Sequence, residues 1–358
     1  MARIAIIGGG LAGLCAAHRL SRARHSVLVL ESESRLGGQI HTARNAGFVA
    51  ELGAEGYVAR SEALPKLARE LGVEGELVGQ IEMRSLGYRS GQLQVLAPGE
   101  SASFLGFQVA KSDLGEGIRS LRNGMAELID ALEQKLASAV EMRLGFRVEH
   151  IERRAKGFTL RAADGTSLTA DKLVIATSAH AAAPLLGPQI GPAALDLARV
   201  TAHSSVNVSL AFPRAAIAHP LDATGVVFAE ADQLYGCRAC VFASSKFAAR
   251  APEGHVNLRV FFRPDPRELK MLSDAEYKER AREVLERVVG PTGPAEKSWV
   301  ARWPDALPVF DADSKQILQA LETALKGSGI AVAGSAFHGS GIDAAVRSGL
   351  SVDQRLFP

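Results

Sequence analysis

The chain has 358 residues, 47% of them hydrophobic, which is enough for a large packed core and for two domains or one discontinuous pair. Lys and Arg total 41 against 39 Asp and Glu, and a net charge of +2 argues against a nucleic-acid-coating protein or a polybasic membrane binder. Three cysteines, Cys15, Cys237 and Cys240, describe no disulfide framework, and no apolar run approaches the roughly 18 residues of a spanning helix, so a soluble, cytoplasmic chain is expected.

At the N-terminus, "RIAIIGGG" reads as a buried parallel strand and a tight turn, "LAGLCAAHRLSR" as a helix, and "SVLVLE" as a second buried strand, together a βαβ unit. A helix is expected over 61–72, and "IEMRSLGY" and "QLQVLAP" form a hairpin across "RSG". From about Gly99 to Gly117 no periodicity emerges, and the segment reads as a linker. "GIRSLRNGMAELIDALEQKLAS" then reads as one long amphipathic helix. "GFRVEHIERR", "GFTLRAADG" and "SLTADKLVIAT" read as a strand meander, and residues 205–262 are rich in strand-like runs. Charged helices are expected near 274–289 and 313–326. At the C-terminus "GIAVAG" leads into "SAFHGSGIDAAVRSG": a strand, Gly334, then a helix opening near Gly341–Ile342.

Gly8, Gly10 and Gly13 form G-x-G-x-x-G in the right context, between a strand and the helix that opens with Leu11 and Ala12. The first glycine permits the turn, the second lets a pyrophosphate approach the backbone, and the third lets helix and strand pack closely. The free N–H groups of the helix start point at the phosphates. Glu31, followed by Ser32, closes the second strand where an acidic side chain accepts ribose hydroxyls. Just beyond, "ESESRLGGQIHT" carries Arg35, Gly37, Gly38 and Gln39, and "FVAELGAEGYVAR" carries Gly53, Ala54 and Glu55. A generic NAD domain with an attached hairpin does not account for this run.

The run resembles the extended fingerprint of two-domain flavoproteins of the amine oxidase superfamily, which implies FAD. The resemblance makes "AGSAFHGSGIDAAVRSG" the last flavin-contacting motif, with Gly334, Gly341 and Ile342 at the cofactor. A second helix N-terminus there would stabilise negative charge on the reduced flavin pyrimidine. It also makes Val148 a backbone contact to adenine and Thr177 part of the "AT" turn leading toward the substrate domain. The implied fold is α/β: a discontinuous Rossmann-like FAD-binding domain, residues 1–55, 118–180 and 327–358, with a second, mostly antiparallel β-sheet substrate domain, residues 56–98 and 181–326. Residues 99–117 form the shortened linker.

The intervening segments are more specific. "SLRNGMAELIDALEQKL", "HPLDATGVVF", "CVFASSKFAARAPEGHVNLRVFF", "WPDALPVF" and "GSGIDAAVRSG" resemble, in order, segments of oxygen-dependent protoporphyrinogen oxidases. The resemblance implies an FAD-dependent oxidase of a cyclic tetrapyrrole, protoporphyrinogen IX to protoporphyrin IX, in heme biosynthesis. Methylene-bridge hydrogens would leave as hydride to flavin N5, with O2 reoxidising the flavin. Such chemistry needs an apolar cavity more than a strong acid or base, so no protein side chain is assigned as catalytic. By motif position Phe261 is a stacking residue, with Val227 and Val241 beside it, and Arg84 and Arg60 are candidates for the substrate's propionates. Core packing remains an equal reading for the three apolar residues. His338 is given no chemistry.

The chain departs from the family in three places. Only "GESASFLGFQVAKSDLGEG" stands where the family has a helical, membrane-associating insertion; Gln39 replaces the usual Arg, and Asp343 the usual Pro. Two other readings stay open: an FAD amine oxidase or desaturase on another apolar substrate, and a non-catalytic paralogue that holds FAD or porphyrin. Cys237 and Cys240 form a C-x-x-C in a strand-like run, where positions three apart face opposite ways, and read as packing residues rather than as a metal or redox pair. No metal site is expected.

Overall fold

Four short runs dominated by Val, Ile, Leu and Ala, each buried on both faces, are the strands a parallel sheet requires. In the computed structural model, which describes residues 1–59, 61–104 and 117–357, they join a fifth strand in one parallel sheet. Its order is Val140–Arg143, Ser26–Leu30, Arg3–Ile7, Lys172–Ile175 and Ile330–Val332. Ile4 lies beside both Val27 and Lys172, so the first strand is central and the C-terminal strand is the edge. Alternate side chains divide between two cores. Ile4, Ile6, Val27 and Val29 pack against the helices Leu11–Arg22, Ala126–Leu136 and Ile342–Leu350. Ala5, Ile7, Leu28 and Leu30 pack against Ala179–Ile190, Ala312–Leu325 and a three-stranded meander of Val148–Arg153, Phe158–Ala162 and Ser167–Ala170.

A second, seven-stranded sheet runs in the order Lys297–Pro308, Ala202–Pro213, His255–Phe262, Cys237–Phe242, Gly225–Phe228, Leu86–Arg89 and Gln92–Val95. All its pairings are antiparallel except that of Gly225–Phe228 with Leu86–Arg89. Its outer face, including Val208, Leu258, Val260 and Phe262, buries the helix Asp274–Val288 through Tyr277, Ala281 and Leu285. That helix starts with a capping box, Ser273 and Glu276 each bonding the other's backbone N–H. The inner face carries Asn207, Arg259, Phe261, Ala239 and Val227, and it is the face tied to the parallel-sheet half of the molecule. Asn207 Nδ2 and Trp303 Nε1 both donate to the Leu52 carbonyl, at 3.0 and 2.6 Å. Arg259 bonds the Gly53 carbonyl, and Lys246 bonds Glu55.

The structure corrects four local expectations. "IRSL", read as the start of a long helix, is the strand Ile118–Leu121, paired with Tyr57–Val58 and Leu77–Gly79. The fully buried Arg250 fixes its end, donating to Ser120 Oγ (2.8 Å) and to the Leu121 and Arg122 carbonyls (3.0 and 2.7 Å); the helix begins only at Ala126. "SLTADKLVIAT" is two strands, because Asp171 takes the chain from the meander into the parallel sheet. Within the supposed linker, Glu100–Phe104 forms a short helix; 105–116 lie outside the described residues. Cys237 and Cys240 point into the same core rather than to opposite faces, because a bulge between Cys237 and Ala239 inserts one extra residue. Both thiols are free and fully buried, and burial pushes both pKa values well up, which leaves them inert packing groups.

Candidate functional site

A cavity of about 690 Å³ runs along the carboxyl ends of the parallel strands, the crevice in which open α/β sheets bind ligands. One side is the first glycine passage. Gly10 is the N-cap of Leu11–Arg22 and offers no side-chain cap, so the first N–H groups of the helix are unpaired and open onto the cavity beside Leu11 and Ala12. Gly13 lies one turn deeper and outside the lining. A Cβ there would sit 2.0 Å from the Gly8 carbonyl oxygen, so this glycine serves the packing of helix on strand.

The second glycine pair closes over the first. Gly37 donates to the Gly9 carbonyl at 2.9 Å, and Gly38 faces Gly10 so closely that an added Cβ would lie 3.1 Å from its Cα. Arg35 sits behind this turn, not in the cavity. Its guanidinium is spent on the carbonyls of Leu36, Gly38 and Ile40 at 3.0, 2.7 and 3.2 Å. Glu31 is buried at the end of its strand and lines the cavity with Ser32. Its Oε2 accepts from the Gly9 N–H (2.7 Å), and its Oε1 from the Glu33 N–H (2.9 Å) and the Ser32 hydroxyl (3.2 Å). The carboxylate is thereby aimed, with acceptor capacity left for a further donor.

The far end is built by the C-terminal passage. The edge strand Ile330–Val332 ends at Gly334, and a second helix, Ile342–Leu350, starts from Gly341, again without a side-chain cap. Gly341 has φ 98°, a left-handed value that glycine adopts without penalty. The two glycine-opened helices touch. A Cβ on Gly334 would come within 3.5 Å of the Ala12 Cβ, and one on Gly349 within 2.4 Å of the Ala12 carbonyl oxygen. The loop between them is anchored by a relay: the Gly334 N–H donates to Ser348 Oγ (2.9 Å), Ser348 bonds His338 Nδ1 (2.8 Å), and His338 Nε2 bonds Glu322 (2.8 Å). The histidine therefore has a structural role.

Gln39, Ala54 and Glu55 line the same end, and Gln39 Nε2 reaches the Ala306 carbonyl at 3.0 Å. Gly53 lies behind, where a Cβ would strike the Gln39 carbonyl at 1.8 Å. Burial alone would raise the Glu55 carboxyl, but Lys246 and Arg259 outweigh it and hold it below the usual range. Val148 and Thr177 line the end nearer Glu31. Reading the sequence missed Phe146, the start of the helix Ala179–Ile190, and Asp305, Ala306 and Pro308 at the bulged end of the strand Lys297–Pro308, all of which line the cavity. In that helix His180 has a buried Nδ1 without a partner, an orphaned polar atom at a ligand-sized space. "WPDALPVF" stood out as a family-like segment without pointing to the cavity, and nothing in the local sequence marks Phe146 or His180 as lining it.

Phe261, Val227 and Val241 stand on adjacent strands of the inner sheet face: Phe261 and Val227 both flank Ala239, and Val241 lies opposite Arg259. Phe261 and Val227 share an apolar cluster with Leu96, Ala239 and Phe104. Arg84 is half-exposed, paired with Asp222 at 3.2 Å, and outside the cavity lining. Arg60 lies outside the described residues.

The chain matches the family of flavin-containing amine oxidoreductases over residues 94–356, more than half its length, and an NAD(P)-binding Rossmann-like domain over residues 6–71. This chain belongs to the flavin-containing amine oxidoreductase family. It is thus a flavin-dependent oxidoreductase, and two separate helix N-termini on one elongated cavity match the dinucleotide form of the cofactor, FAD. Among relatives in or near this family, a coproporphyrinogen III oxidase of Propionibacterium freudenreichii is 35% identical over 230 residues, which is 63% of this chain but 42% of that protein. A coproporphyrinogen III oxidase of Bacillus subtilis is 22% identical over 454 aligned positions, covering 97% of this chain and 96% of that one. With only 358 residues here, at least 96 of those positions face a gap in this chain. The fold matches a crystal structure from Exiguobacterium sp. 255-15 assigned provisionally as a protoporphyrinogen oxidase, at TM-score 0.84 and 23% identity over 98% of both chains. It also matches cyclohexylamine oxidase from Brevibacterium oxydans, at TM-score 0.76 and 15% identity over 99% of this chain and 98% of that one. Among the described residues no helix is long and apolar enough to cross a membrane, and no cluster of metal-binding side chains occurs.

Proposed function

We propose that this flavoprotein oxidises a porphyrinogen, a reduced cyclic tetrapyrrole, and that O2 takes up the electrons. The observation that carries the reading is the placement of a broad, largely apolar wall, Phe261, Val227, Ala239 and Val241, on the sheet face tied to the flavin end of the cavity. A large, flat, apolar substrate needs such a wall, and its reaction needs positioning and exclusion of water more than a strong base. Two relatives named for porphyrinogen oxidation support the choice.

In this reading the Leu11 and Ala12 N–H groups face the pyrophosphate, Glu31 the ribose hydroxyls, and Val148 and Thr177 the adenine side. Gln39, Ala54, Glu55, Gly334, Gly341 and Ile342 flank the isoalloxazine. Bound FAD supplies a two-electron acceptor for a methylene-bridge hydride. The chain's own part is to hold that acceptor between two helix N-termini, press the substrate against Phe261, and keep the space dry. The same reading places the enzyme in the cytoplasm.

An anaerobic half-reaction tests it. Purified, FAD-loaded protein is mixed with coproporphyrinogen III or protoporphyrinogen IX, and the visible flavin band is followed. The expected outcome is bleaching of the band with appearance of the porphyrin Soret absorbance. Persistence of the oxidised band with both substrates would overturn the proposal and favour a cofactor-binding chain without this turnover.

A further inference from the structure

We propose that Arg238 and Arg263, with His203 between them and the cofactor cavity, form a carboxylate clamp for the acidic side chains of the substrate. The inference rests on the porphyrinogen reading and adds to it the residues that recognise the substrate's periphery.

The inner sheet face carries a line of residues on His255–Phe262 and its continuation: Arg259, Phe261, Arg263. Alternation puts all three on one side. Arg259 is committed to the Gly53 carbonyl and Glu55, under the flavin end of the cavity. Four residues of extended chain carry Arg263 about 13 Å further out, beyond Phe261. Across the sheet, Arg238 occupies the bulge between the Cys237–Phe262 and Ala239–Phe261 pairs, and the Arg263 N–H donates to the Gly236 carbonyl at 3.0 Å, so the two arginines are strand neighbours. On the other flank Val206 pairs with Phe262, which brings the start of Ala202–Pro213, with His203, alongside. Ala202, its neighbour, lines the cofactor cavity.

The three groups repel one another. Burial first, and then Arg263 and Arg238, lower the pKa of His203; burial and Arg238 lower that of Arg263. Among the described residues neither arginine has a carboxylate partner. Arg263 makes no side-chain hydrogen bond, and Arg238 makes one, to the Phe104 carbonyl at 3.3 Å, while its buried Nε has none. Arg250, by contrast, is met by three acceptors, and Arg259, whose Nε and Nη1 make no hydrogen bond, still has the Glu55 carboxylate 3.7 Å away as its counter-ion. Half-buried like charges without a counter-ion are costly, and an anionic ligand removes the cost. The apolar cluster of Phe261, Val227, Leu96 and Phe104 adjoins them. A flat apolar body lying on that cluster would reach the two guanidiniums with carboxylates on its rim. Arg84, which the sequence suggested for this task, is already paired with Asp222.

The test compares an acid with its neutral ester. FAD-loaded wild type and the Arg238→Gln/Arg263→Gln double variant are titrated with coproporphyrin tetra-acid and with its tetramethyl ester, and porphyrin fluorescence is followed. Wild type is expected to bind the acid at least about 10-fold more tightly than the ester, and the variant to lose that preference to within about two-fold. A wild type with no preference, or a variant that keeps it, overturns the clamp and leaves the porphyrinogen reading standing. A wild type that binds neither ligand and whose flavin is not bleached by the porphyrinogens overturns that reading instead. Should the double variant shed its flavin, Arg263→Gln alone, at the end of its strand, carries the comparison. Its preference is expected to fall at least about three-fold, and an unchanged ratio overturns the clamp.

Discussion

Gly10 and Gly13 stand three residues apart and do different work. A Cβ on Gly10 would meet nothing nearer than the Gly38 Cα at 3.8 Å, so the fold tolerates a side chain there, but its outer atoms would fill the space over the helix N-terminus. A Cβ on Gly13 would collide with the Gly8 carbonyl and prise helix from strand. Gly10→Val is therefore expected to fold with near-native urea stability and to purify colourless, whereas Gly13→Ala should lose both flavin and at least about 2 kcal/mol of stability. Absorbance at the flavin band and urea denaturation of the two proteins separate the roles. A fully flavinated Gly10→Val would remove this helix from the cofactor site. Glu55 makes the same point for charge. It is the counter-ion for two buried cations, Lys246 and Arg259, and removing one partner from such a group leaves charge stranded. Glu55→Gln should cost about 3 kcal/mol near neutral pH. Because the folded carboxyl titrates below its ordinary 4.5, its contribution is complete above that value and disappears as pH falls through the lower, folded one. The gap between wild type and Glu55→Gln should accordingly narrow in acid; a gap that stays constant, or a neutral-pH cost under about 1 kcal/mol, would show that the ion pairs are not what holds this segment.

At the scale of elements, legibility follows how local the determining interactions are. Both glycine-opened helices, the strand Ser26–Leu30 and the hairpin across Ser90–Gly91 were readable, because each is set by residues adjacent in sequence: a glycine turn beside an apolar run of the right period. The strand Ile118–Leu121 was not. Ile118, Leu121 and Met125 have spacings a helix would use, and only pairing with two distant strands and the buried Arg250 decide otherwise. The cysteine bulge is set in the same way, by the register of a neighbouring strand. The site divides similarly. Glu31, Gly37, Gly38 and Gly341 sit in motifs and line the cavity, while His180 and the bulged end of the strand Lys297–Pro308 reach it only through the packing of a helix and a second sheet. Arg35 lies behind the glycine turn and outside the cavity lining. Its guanidinium donates to three carbonyls of the turn that shapes the cradle, contacts that only the folded turn reveals.

In the whole molecule, the two ends of the chain meet over one cavity. The N-terminal strand is central and the C-terminal strand is the edge of the same sheet, and the helices that follow them pack through Gly349 against Ala12 and Cys15. The first turns of both helices, neither with a side-chain cap, line the same cavity, an arrangement that favours an anion or an electron-rich group within it. The cofactor should therefore act as a tie between the termini, stabilising the fold in proportion to its occupancy. Hydrogen exchange measured on the flavin-loaded and the deflavinated protein tests the tie directly. Loading should slow exchange in two segments distant in sequence, residues 9–13 with 31–39 and residues 334–345, and slow both at the same occupancy. The helix Asp274–Val288, packed on the far face of the other sheet, should be unaffected and serves as the internal reference. Protection confined to the N-terminal segment would mean that the second glycine passage holds no part of the cofactor, and the assignment of Gly334, Gly341 and Ile342 to the flavin end would fall with it. Protection of both at once is the signature of a single ligand that touches both helix starts.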